Sequence, residues 1–172
     1  MILRVGCLLP FLVAVCVLTP AQSTQQQHPA TPAEVVRQYC EFDFKIGRIS
    51  TDNFEKLPPL YTWEEEPGWD GATVVSGFKI VSTKLAQDRA IVTVQWQVLG
   101  DFDAEKVTAG QKEEVVEYQL KFVGGLWKID SPVLCPHVSA ATLRAFVLSN
   151  FRDNARRQEL IRGLDALSEK KR

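Results

Sequence analysis

The chain has 172 residues, 45% of them hydrophobic and 24% charged, with a formal net charge of −1. Those proportions are those of an ordinary globular domain. The near-neutral balance excludes a broad nucleic-acid surface, which needs an excess of Lys and Arg to displace counterions.

The first 21 residues read as an export signal. Arg4 precedes an apolar run from Val5 to Leu18, and Thr19-Pro20-Ala21 offers a small-residue cleavage point after Ala21. The run is shorter than the ~20 apolar residues a membrane span needs. The expected location is therefore periplasmic or secreted, with an uncleaved anchor as the alternative and no stable span after cleavage. Cys16 follows Val15 rather than a small residue, which argues against lipidation. Residues 22–31 lack periodicity and read as a flexible lead-in. Cleavage removes Cys7 and Cys16, so the exported chain keeps Cys40 and Cys135. Two thiols in an oxidising compartment predict one bridge, Cys40–Cys135. Its long loop would be worth roughly 4–5 kcal/mol of unfolded-state entropy.

A helix is predicted from Pro32, with Thr31 as N-cap and Glu34 completing a capping box. Val35, Tyr39, Phe42 and Ile46 form its apolar stripe, and Gly47 offers a stop. A short second helix, "STDNFEKL", ends at Pro58-Pro59. The period then changes to two. One strand pair turns at Gln87-Asp88, and Ala90, Val92, Val94, Trp96 and Val98 share a face of its second strand. "GDFDAEKVTAGQ" reads as a long polar connection. A third strand follows with Val116, Tyr118, Leu120 and Phe122 together, and Gly124-Gly125 turns into a fourth, "LWKIDSP". The expectation is an α+β domain over 32–136, with N-terminal helices packed on a curved antiparallel sheet of about four strands. His137 falls in the linker after that sheet. Residues 137–172 add a C-terminal amphipathic helix with Ser139 as N-cap and a polar stretch, "RDNARRQ", where a break is expected. Eight Lys and Arg against four Asp and Glu give residues 139–172 a net charge of +4. The helix is expected to pack on its own sheet, with a homodimer or protein-partner contact, or contact with an anionic membrane surface, as the sharper readings.

The capped helix, the Pro-ended short helix, the long paired strands and the closing "GGLWKID" strand together resemble the nuclear transport factor 2-like superfamily. That resemblance implies a cone-shaped curved sheet folded around helices. Enzymes of this fold, among them isomerases, dehydratases and polyketide cyclases, place Asp, His and Tyr inside the cone.

Catalytic groups are few here. Tyr39 and Asp43 lie four apart on one helix face and offer an acid/acceptor pair, although Tyr39 also belongs to the apolar stripe. Metal and cofactor sites are not expected. No His pair or Cys-x-x-Cys spacing occurs, and "GDFDAE" lacks the sixth-position Gly and twelfth-position Glu of a calcium loop. Glu64-Glu65-Glu66 reads as a solvated acidic loop. The strongest binding signal is "YTWEEEPGWDG": Tyr61, Trp63 and Trp69 would either line a pocket mouth or plug the open end of the cone, with Trp96 beneath them. The favoured expectation is an exported non-catalytic domain that binds a small apolar ligand or a protein partner. The alternative is a cavity enzyme of the isomerase, dehydratase or polyketide-cyclase kind.

Overall fold

A computed structural model describes residues 30–65 and 67–169. The export signal and most of the lead-in lie outside the described residues. The protein is α+β. Helix α1 (Pro32–Lys45) opens with both halves of its capping box formed, Glu34 N–H donating to Thr31 Oγ1 at 3.3 Å and Thr31 N–H to Glu34 Oε2 at 2.6 Å. Its buried face carries Val35, Val36, Tyr39, Cys40 and Asp43. Gly47, at φ +75°, turns the chain out of the helix, as a left-handed position favours. A single helical turn, α2 (Thr51–Phe54), follows.

Strands β1 (Gly71–Ala86), β2 (Arg89–Asp103), β3 (Val107–Val123) and β4 (Leu126–Ser131) form an antiparallel meander. A fifth strand, β5 (His137–Ser139), pairs parallel with Thr73–Val75 of β1, giving the order β4-β3-β2-β1-β5. Register shifts in β1, β2 and β3 curl the sheet into a half-barrel. The edge of β4 is closed by the chain around Tyr61, through Thr62 N–H to Ile129 O at 2.9 Å and Ile129 N–H to Leu60 O at 2.8 Å.

The expected polar connection at 100–111 is mostly strand. Asp103 Oδ1 accepts from the backbone N–H groups of both Glu105 and Lys106, each at 2.7 Å, so three residues suffice to reverse the chain. The hairpin also depends on Gly100, where a Cβ would stand 2.1 Å from Thr108 O.

Two apolar layers result, one on each face of the sheet. The concave layer lies under α1 and contains Trp96, Tyr118, Leu120 and Ile129 with Val92, Val94 and Val98. The face predicted for β2 is fully buried there, whereas Phe122 at the far end of β3 is 42% exposed. The other layer is covered by α3 (Ala140–Asn150) and α4 (Asn154–Glu169), whose Leu143, Val147, Leu160, Leu164 and Leu167 pack on Ala72, Val74, Leu99 and Phe102. The C-terminal amphipathic segment is thus two helices, broken at residues 151–153 where the polar stretch begins, with Ser139 Oγ capping the first. No described helix is long and apolar enough to cross a membrane.

The Cys40–Cys135 bridge is not formed; both thiols are free. Their side chains serve different neighbours. Cys40 is wholly buried in the concave core beside the Tyr118 hydroxyl, while Cys135 Sγ is directed to Gly71 O of β1 at 3.3 Å. The fastening expected of that bridge exists in another form, described next.

Candidate functional site

The concave face is organised around a charged pair that crosses the end of α1. Arg48, just past the Gly47 turn, folds back so that its Nε donates to Asp43 Oδ1 at 2.7 Å and its Nη2 to Asp43 Oδ2 at 3.0 Å. Both side chains are almost fully buried, at 1% and 2% exposure. Arg48 Nη2 also donates to Leu134 O at 2.9 Å, and Asp43 Oδ2 accepts from His137 N–H at 3.4 Å. The pair therefore ties the end of the first helix to the segment that runs from β4 into β5. The Arg48 guanidinium lies 4.8 Å from the Tyr39 ring centroid, in cation–π range.

His137 is the main departure from expectation. It is a strand residue, 3% exposed, and its imidazole stacks on Trp96 at 4.5 Å with 23° between the planes. Phe78 packs against the same indole at 4.9 Å. Burial pushes the His137 pKa down. Glu114, Asp43 and a hydrogen bond to the Cys135 backbone oppose that shift, and Arg48 adds to it. Among the described residues His137 Nε2 and Trp96 Nε1 have no hydrogen-bond partner, and Glu114 Oε1 stands 3.7 Å from His137 Nε2.

The sequence-derived candidates separate into three places. Tyr39 and Asp43 do share a buried face of α1, but Asp43 is engaged by Arg48 rather than by Tyr39. Tyr61 and Trp63 stack at 4.6 Å, with Phe54 against Tyr61 and the Tyr39 ring edge-on to Trp63 at 6.2 Å. These aromatics plug the space beside α1. Trp96 lies in the concave core against which Tyr61 and Trp63 pack, and stacks there on His137. Trp69 lines a surface groove of about 650 Å³.

That groove runs between α2 and residues 64–65 and 67–70. Ile49, Phe54 and Trp69 give it apolar walls, and the exposed carboxylates of Glu55, Glu64, Glu65 and Asp70 rim it. The buried Arg48 also borders it, but its charge is held by Asp43.

Sequence reasoning missed Arg48, His137 and Glu114. Arg48 follows the helix stop and carries no periodic signal. Glu114 lies in register opposite Trp96, so its place on the concave face follows once the β2–β3 pairing is known.

Chemically, the buried groups are poorly placed for turnover. Burial raises the pKa of Cys40 and of Tyr118, so both stay protonated, and Cys135 is raised in the same way. General acid–base work needs a titrating group within hydrogen-bond reach of a substrate. Here Asp43, Tyr39, Trp96 and His137 are all enclosed, and Glu114, at 32% exposure, is the most open of the cluster. No group of three or more His, Cys, Asp or Glu suited to a metal ion occurs among the described residues.

Comparison of the chain with protein-family models, with curated proteins and with solved structures finds no match.

Proposed function

We propose that this protein is an exported, non-catalytic binding domain of the nuclear transport factor 2-like kind, and that it binds at the groove beside α2. One observation carries the reading: the concave face, where a cavity enzyme would admit substrate, is occupied by the protein's own side chains. Tyr39, Trp96 and Tyr118 are fully buried there, and the Asp43–Arg48 pair and the Tyr61–Trp63 stack occupy the remaining approaches. The layout of a capped helix on a curled sheet supports the family likeness, and the apolar run at residues 5–18 supports export. A groove of this volume, with apolar walls and a few polar groups at the rim, falls in the size range of ligand sites.

The four Trp residues make the test direct, because each indole N–H gives its own signal in a nitrogen–proton correlation spectrum. Titration with a tri-arginine peptide is expected to move the Trp69 signal and leave that of Trp96 in place. Titration with a cyclic enone, as a probe for isomerase-type substrates, is expected to move neither. An enone-dependent shift at Trp96 would show the concave face to be open and would replace this reading with the cavity enzyme.

A further inference from the structure

The helices leave one end of the sheet bare. Leu85, Phe122, Val123 and Leu126 belong to neither apolar layer and are exposed there, at the end of β1 away from Asp70 and the Trp69 groove. The β1–β2 and β3–β4 hairpins lie side by side at this end, joined where Phe122 N–H donates to Asp88 O at 2.8 Å. The β3–β4 hairpin reaches further. Its turn residues Gly124 and Gly125 lie at positive φ, and nothing stands within 4 Å of where either Cβ would be. Val123 and Leu126 face each other across that turn, 49% and 53% exposed. Two residues behind them, on the same face and about 7 Å along the strand, is a row of cations. Arg89, Lys121 and Lys128 stand directly opposite one another there, across β2, β3 and β4. Lys121 pairs with Asp130 at 2.8 Å. Residues 84–91 and 119–130 together hold Lys84, Arg89, Lys121 and Lys128 against Asp88 and Asp130, a balance of +2 in a chain of net charge −1. A groove of about 280 Å³ beside the row is lined by Lys84, Arg89 and Lys121.

We propose, independently of the Trp69 groove, that this end of the sheet docks on an anionic phospholipid surface. Val123 and Leu126 enter the outer acyl region, and Arg89, Lys121 and Lys128 meet headgroup phosphates. The Phe122–Trp127 ring pair, 5.1 Å between centroids, sits between those two levels, where aromatic side chains favour the membrane interface. Three physical arguments favour this partner. Like charges directly opposite one another destabilise a sheet, so the cation row carries a cost in the free protein that phosphates remove. The apolar pair leads the cations by about the depth, ~5–10 Å, to which interfacial segments bury their apolar face. The surface is also a projecting tip. A protein partner would need a cleft cut to receive it, whereas a bilayer deforms around it.

Co-sedimentation with lipid vesicles tests this, with the full chain and its variants compared so that any contribution of residues 5–18 is common to all. In about 0.1 M salt, vesicles of phosphatidylglycerol mixed with phosphatidylcholine are expected to bind roughly tenfold or more tightly than phosphatidylcholine alone. The preference should shrink in about 0.5 M salt, where exposed charges are screened. Arg89→Gln with Lys128→Gln should abolish the preference, and Val123→Thr with Leu126→Gln should weaken binding to the anionic vesicles roughly fivefold or more. Brominated acyl chains should quench the Trp fluorescence of the bound protein, and Trp127→Phe should remove that quenching. The replaced side chains are exposed or half-buried, and circular dichroism checks that each variant folds. Equal binding to both kinds of vesicle, binding that neither pair of substitutions changes, or quenching undiminished in Trp127→Phe would overturn the proposal. So would an oligomer in sedimentation velocity that Val123→Thr with Leu126→Gln dissociates, in a protein that binds no vesicles; that result would assign the tip to protein contact.

Discussion

Removing the Asp43 charge tests whether the buried pair is what fastens this fold. In Asp43→Asn one neutral oxygen replaces a carboxylate that accepts from Arg48 at 2.7 and 3.0 Å and from His137 N–H at 3.4 Å. The guanidinium would then remain, 1% exposed, without the carboxylate that neutralises it, beside the Leu134 carbonyl and the Tyr39 ring. Breaking a buried pair by removing one partner typically costs about 3–5 kcal/mol, because the other charge is left uncompensated. In a domain of this size that corresponds to a fall in melting temperature of roughly 10 °C. Arg48→Met should cost a similar amount by stranding Asp43. The double variant Asp43→Leu/Arg48→Met should lose far less than the sum of the two single losses, since replacing both charges by apolar groups of similar volume is often close to neutral. Urea unfolding followed by circular dichroism gives all three values. Hydrogen exchange adds a local readout, because the His137 amide should lose protection first in Asp43→Asn. Single variants that each cost under about 1 kcal/mol, or a double variant equal to their sum within about 0.5 kcal/mol, would refute the fastening role.

Two further outcomes follow from individual side chains. The folded-state pKa of His137 lies below its unfolded value, so the unfolded chain binds the extra proton first as pH falls. Its contribution to stability is therefore present above about pH 6.5 and lost on acidification. Comparing urea midpoints near pH 7.5 and pH 5 should show a smaller pH difference in His137→Gln than in the parent protein; an unchanged difference would assign the acid sensitivity elsewhere. Gly163 of α4 sits against β3, and a Cβ there would stand 2.7 Å from Val107 Cβ. Gly163→Ala should thus destabilise by about 1–2 kcal/mol despite the helix propensity it gains, and a melting temperature equal to or above that of the parent protein would refute the close approach.

The elements visible in the sequence are those whose signals are local. Thr31, Pro32 and Glu34 announce a helix because a capping box closes within one turn, and the Ala90-to-Val98 alternation announces a buried strand face because side chains alternate every residue. What stayed hidden depends on contacts between distant segments. His137 reads as a linker residue because β5 is only three residues long and pairs with β1 some 64 positions earlier. The long polar run after Gly100 reads as a loop because its exposed strand residues lack an apolar face, and the Asp103 turn that shortens it is a side-chain effect. The aromatic loop was legible as a group but not in its division, Tyr61 and Trp63 packing inward while Trp69 serves the groove.

The Cys40–Cys135 expectation failed in an instructive way, because its mechanical conclusion survived with different chemistry. The two cysteines do lie on the segments that need joining, and Asp43 and Arg48 act on both thiols electrostatically. The join itself is made one helical turn further along, by a carboxylate and a guanidinium. Counting thiols identified which parts of the chain meet, since residues on the buried face of α1 must look toward whatever closes the sheet. It could not identify the bond, because Arg48 reaches that meeting point only after the Gly47 turn reverses the chain. A covalent bridge would act mainly on the unfolded chain, whereas this pair acts within the folded one and depends on the exclusion of water around it. The fold is accordingly expected to withstand reducing agents and to respond sharply to any substitution that lets water reach Asp43.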